Sequence, residues 1–227
     1  MKILINSFPR SGSNTFTGAL RKSVWNIRNG NLHEREEYDE WIINKYEPLF
    51  YLVNYGSDVT LSAIVRNPVD AITSNAERWF KGFTGNVIDG VQIVDKAQNK
   101  SDEIIKLGLS EIDFIQNQIK RYGSYLNCIE KNFNNIKYLT YEQTREQTDI
   151  AIKNLLMLSD VDISKIPEES LAKNLINNEA KHPVYAIIKE YLQGIEGISD
   201  HYDQLLPRIL DEQAKYPLMF TQKDGII

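Results

Sequence analysis

The residues of this chain best suited to chemistry stand near its beginning. Ser7-Phe8-Pro9-Arg10-Ser11-Gly12-Ser13-Asn14-Thr15-Phe16 packs serine and threonine hydroxyls, a guanidinium and a glycine into one short run. These groups are donors, and together they suit an anion with several oxygens, a phosphate or a sulfate. The elements that must position them are legible on either side. Ile3-Leu4-Ile5 is an apolar strand-like run, and the stretch from Thr15 to Trp25 carries Phe16, Ala19, Leu20 and Val24 at helical spacing. A strand, a small-residue loop and a helix in this order cradle an anion, because N–H groups at the helix start point into the loop and the helix dipole adds roughly half a positive charge there. Arg10, Ser11, Ser13 and Thr15 add side-chain donors. The loop is not the common nucleoside triphosphate pattern G-x-x-x-x-G-K-S/T, since Gly12 is followed by Ser13-Asn14-Thr15 without a lysine. Plain helix capping by the same serines is the alternative reading.

A second segment, Thr60-Leu61-Ser62-Ala63-Ile64-Val65-Arg66-Asn67-Pro68-Val69-Asp70-Ala71-Ile72-Thr73-Ser74, repeats the strand, turn and helix order. The apolar run ends at Arg66, Asn67 can cap, Pro68 suits a first helical turn, and Asp70 sits where a carboxylate favours the dipole. Arg66 at a strand end and Ser74 about two turns into the helix can share one phosphate dianion, since a planar guanidinium binds phosphate oxygens bidentately and stays charged. The alternative is an Arg66–Asp70 pair with Ser74 facing water.

The first loop resembles the 5'-phosphosulfate loop of sulfotransferases that use 3'-phosphoadenosine 5'-phosphosulfate (PAPS), written S/T-Y/F-P-K/R-S/T-G-S/T-T/N. The second segment is similar to that family's 3'-phosphate motif, R-D/N-P-x-D/E-x-x-x-S, and carries it intact. A third, partial resemblance lies at Ile136-Lys137-Tyr138-Leu139-Thr140-Tyr141-Glu142, read as a strand with Tyr141-Glu142-Gln143 where the family has Y-E-D, then a helix from about Thr148 to Leu158. The tail Met219 to Gly225 is faintly similar to the family's F-x-R-K-G segment, with Gln222 where the arginine is expected.

The resemblance implies an α/β fold, a three-layer sandwich with a central, mainly parallel sheet, P-loop-like nucleotide-binding topology and a helical C-terminal part, in one domain spanning 1–227. It implies PAPS as cofactor and PAP as product, held by Arg10, Ser11, Gly12, Ser13, Asn14, Thr15, Arg66, Ser74 and Tyr141. In some members the tyrosine of the third motif stacks on adenine; packing on the core with a wet hydroxyl is the other reading of Tyr141. The implied reaction moves a sulfuryl group to a hydroxyl or amine of a small-molecule or carbohydrate acceptor by in-line attack, with no metal required. Arg10 stands where most members have lysine, so its catalytic part would be purely electrostatic. The family's K-T-H-like strand has no counterpart in Phe50-Tyr51-Leu52-Val53-Asn54-Tyr55. His33, the only histidine upstream of Arg66, is the candidate base, with Glu34 or Glu37 as rivals. Two further readings stay open: an atypical P-loop kinase, and a degenerate nucleotide-binding or interaction protein without catalysis.

Composition narrows the setting. A net charge of −5 disfavours a general nucleic-acid surface. The only cysteine, Cys128, cannot pair within the chain, which fits a reducing cytosol. His33, His182 and His201 show no metal-ligand spacing. No apolar run approaches a membrane span, and a strand starting at residue 2 is expected to leave no room for a signal peptide, so a cytoplasmic location is expected. Nothing in the sequence sets the oligomeric state. Elsewhere we expect a strand from Pro48 to Tyr55, an acidic stretch around 31–41 that is a solvated helix start or a substrate-facing loop, and Trp79, Phe80 and Phe83 as pocket wall or core. Helices are expected at Ile112–Asn132, Glu168–Asn177, Pro183–Leu192 and Tyr202–Lys215, the last bent or split at Pro207.

Overall fold

The computed structural model describes residues 2–27, 42–45, 59–80, 109–166, 168, 171, 175 and 183–221. Four strands, β1 (Lys2–Ser7), β2 (Ile42–Lys45), β3 (Val59–Val65) and β4 (Lys137–Thr140), form one sheet in the order β2-β1-β3-β4. Every neighbouring pair is parallel. A parallel sheet needs cover on both faces, and the strand sequences provide for it: Ile3, Ile5, Ile64 and Leu139 belong to one buried cluster, while Leu4, Ala63, Val65 and Tyr138 belong to another.

On the first face lie α1 (Ser13–Ile27) and α5 (Thr148–Met157), through Phe16, Leu20, Ile152 and Leu155. On the second lie α2 (Pro68–Phe80), α3 (Leu109–Lys131), α6 (Pro183–Gln193) and α7 (Asp200–Gln213), contributing among others Ile72, Ile115, Leu126, Ile188, Leu205 and Ile209. The result is the expected three-layer α/β sandwich with helices gathered toward the C-terminus.

Several expectations are corrected. The third-motif strand stops at Thr140, and Tyr141–Glu146 forms a short helix, α4. The cause is a capping box: Thr140 Oγ1 accepts from Gln143 N at 3.3 Å and Gln143 Oε1 accepts from Thr140 N at 2.9 Å. Gln143, standing where the family has aspartate, is therefore spent on starting a helix. Pro207 does not split α7, which runs unbroken from Asp200 to Gln213. Tyr202, Leu205, Ile209 and Gln213 form its buried face, while Pro207 is exposed, so the carbonyl that loses a partner at Asp203 lies on the solvated side. On the side of β1 away from β3 lies β2, Ile42–Lys45, too short a run to show alternation in the sequence. The expected strand at 48–55 and the acidic stretch up to Glu40 fall outside the described residues, as does most of the expected helix at 168–177.

Candidate cofactor site

The sheet register gathers the motifs. Ser7 at the end of β1 is level with Ile64 of β3, and Val65 is level with Thr140 of β4. The residues that follow, the 8–12 loop, Arg66 and Tyr141, thus leave the sheet at the same carboxyl edge, where open α/β sheets bind ligands.

The loop is tied at its base and turned by two left-handed residues. Ser7 Oγ donates to Ser13 Oγ at 2.7 Å, and Ser11 N donates to Phe8 O at 3.2 Å. Phe8 is buried, with its ring edge-on to Tyr122 at 4.9 Å. Arg10 has φ +68° and Gly12 φ +78°. For glycine this is ordinary; for arginine it is a strained conformation of the kind that collects at ligand-binding turns. Gly12 O accepts from Phe16 N at 3.1 Å, so Gly12 stands at the cap of α1 and the first-turn N–H groups beyond it have no intrahelical acceptor. Asn14 and Thr15 are exposed and Ser13 is buried.

Arg66 joins this loop directly. Its Nη1 donates to Arg10 O at 2.6 Å, and its Cζ lies 3.9 Å from the centre of the Tyr141 ring. Behind it, Tyr122 Oη donates to Arg66 O, and one helical turn on Tyr125 Oη donates to Ile64 O at 3.0 Å. Burial pushes both phenols well above the usual tyrosine range, and neighbouring tyrosines add to this. The sequence signal for them was Tyr122-Gly123-Ser124-Tyr125, a helical spacing that puts two hydroxyls on one face.

The local reading of the second motif holds. Asn67 Oδ1 accepts from Val69 N at 3.0 Å and Asn67 O accepts from Ala71 N at 2.9 Å, with Pro68 opening α2. Arg66 does not pair with Asp70. Asp70 is bound by Lys189 Nζ at 2.8 Å and lies 3.4 Å from Tyr185 Oη. That hydrogen bond raises the Lys189 pKa. Ser74 is buried on α2. Glu142, half-buried beside this cluster, has its pKa raised by burial, with Arg66 opposing.

Two donors in this site are fully enclosed and have no protein partner, Ser11 Oγ and Arg66 Nε. Buried polar groups are almost always hydrogen-bonded, so an enclosed hydroxyl in the loop and an enclosed guanidinium N–H of the arginine that joins it fit a ligand that supplies acceptor oxygens. The 5'- and 3'-phosphate oxygens of PAPS meet that requirement. His33, Glu34, Glu37 and Phe83 fall outside the described residues, as do the side chains of Trp79 and Phe80. Among the described residues no cluster of three or more metal-ligating side chains occurs. None of the described helices is long and apolar enough to cross a membrane.

No protein-family model matches this chain, and no curated protein matches it. Among solved structures, the chain is similar to mouse sulfotransferase SULT7A1 in complex with PAP, at 14% identity over 94% of this chain and 85% of that one, with a TM-score of 0.46.

Proposed function

We propose that this chain is a PAPS-dependent sulfotransferase of cytoplasmic type, moving a sulfuryl group to a hydroxyl or amine of a small-molecule or carbohydrate acceptor. The observation that carries the reading is the pair of enclosed, unpartnered donors, Ser11 Oγ and Arg66 Nε, just beyond the ends of two strands, β1 and β3, that the sheet sets side by side. The resemblance of both segments to the family's cofactor motifs supports it. When bound, PAPS would supply an activated sulfuryl group on a phosphate leaving group. The chain's part is to hold and orient. Ser11, the backbone of Gly12 to Thr15 and the dipole of α1 would take the 5' end, and Arg66 with Ser74 the 3'-phosphate. Arg10, always charged, would stabilise negative charge at the 5' end without donating a proton. His33, or Glu34 or Glu37, would take the acceptor's proton.

Calorimetric titration with PAP, ATP and ADP, and with Arg66→Ala as control, tests the reading. A charge-assisted bond contributes about 1.5–3 kcal/mol, so the variant should lose roughly 10- to 150-fold in PAP affinity. Equal or tighter binding of ATP would replace the sulfotransferase with an atypical P-loop kinase. Absence of nucleotide binding would indicate a degenerate scaffold.

A further inference from the structure

We infer that Tyr141 is a positioning residue that aims Arg66 at the 3'-phosphate, and that it is not a platform for the adenine base. The inference rests on the cofactor reading above and assigns Tyr141 a different part from the one the family resemblance implies. The guanidinium of Arg66 already lies over the Tyr141 ring, with Cζ 3.9 Å from the centroid. Arg145 Cζ is 5.6 Å from the same centroid. The ring edge also lies close to the loop, since a Cβ built on Gly12 would sit 3.1 Å from both Cδ2 and Cε2 of Tyr141. The ring is therefore stacked on Arg66 and lies close beside the 8–12 loop at the same time.

This arrangement fixes the guanidinium plane. An aromatic face holds a guanidinium by cation–π attraction and stacking, and the Nη1 bond to Arg10 O sets its rotation within that plane. With Nη1 so used, the Nε edge, enclosed and unpartnered, is the edge left for phosphate oxygens. Tyr141 thus acts through Arg66, and its effect should appear only in ligands that carry the 3'-phosphate.

PAP and AMP differ by that phosphate alone, so their affinity ratio isolates it. Calorimetry with both nucleotides on the wild type, Tyr141→Phe and Tyr141→Leu is the test. The expected result is that Leu lowers the PAP-to-AMP ratio about tenfold with AMP affinity unchanged, while Phe, which keeps the ring, keeps the ratio. Equal weakening of PAP and AMP by Leu would overturn the inference and make Tyr141 an adenine platform. An unchanged ratio in Leu would overturn it too. If Tyr141→Leu fails to fold by circular dichroism, Tyr141→Met, which fills space flexibly without a π face, carries the same expectation. A wild-type chain that does not prefer PAP to AMP would remove the cofactor reading and this inference together. A wild type that does, with an unaltered ratio in the variants, would remove the inference alone.

Discussion

Exchanging Gly12 for alanine separates a glycine the loop requires from one it does not. Gly12 has φ +78°, where a Cβ costs about 1–2 kcal/mol. The added carbon would meet Tyr141 Cδ2 and Cε2 at 3.1 Å, so the ring must give by a few tenths of an ångström while carrying Arg66. The two effects act in the same direction, and we expect a loss of about 2 kcal/mol. For a chain of this size each kcal/mol shifts the melting temperature by about 2–4 °C, so Gly12→Ala should melt about 4–8 °C lower. Gly18, inside α1, has nothing within 4 Å of its built Cβ. There alanine should gain about 0.5–1 kcal/mol from helix propensity and raise the midpoint. Scanning calorimetry with urea melts of both variants reads the sign directly. A Gly12→Ala protein that melts at or above the wild type would refute the loop geometry and the Tyr141 contact with it.

Other expectations follow from the same network. Tyr122→Phe leaves the buried Arg66 carbonyl without its donor and should cost about 1–3 kcal/mol in urea unfolding; wild-type stability would mean the hydroxyl holds nothing. Tyr122 and Tyr125 keep their protons to higher pH folded than unfolded. Their contribution is therefore complete below the unfolded tyrosine pKa of about 10 and is lost as pH rises beyond it. Tyrosinate absorbance should then appear for these two only as the circular dichroism of the fold disappears, and ionisation with the fold intact would contradict their burial. Under the function we propose, Arg10→Ala should lose most of the sulfuryl-transfer rate with a modest loss of PAP affinity, measured by turnover and calorimetry side by side. Near-normal turnover would remove Arg10 from catalysis.

The local parts of the site were determined by sequence. Strand runs flowing into Ser11-Gly12-Ser13 and into Arg66-Asn67-Pro68 specify two turns into helices, because capping, φ preference and apolar periodicity act over a few residues. Thr140-Tyr141-Glu142-Gln143 is equally local, a capping box legible in advance as Thr followed three residues on by Gln, although the strand was expected to continue through it. The parallel α/β core was an expectation drawn from the family resemblance of these segments, and composition alone indicated only an ordinary globular chain. Only the tertiary structure decided that Arg66 reaches Arg10 and not Asp70, that Asp70 belongs to Lys189, and that Tyr141 lies between Gly12 and Arg66. These partners are far apart along the chain. Arg66, Arg10, Gly12 and Tyr141 meet because β1 lies beside β3 and β3 beside β4, in registers that bring three strand ends to one edge, and Asp70 meets Lys189 because α2 packs against α6. Strand order and register come from the packing of both sheet faces as a whole, and short-range residue patterns do not encode them.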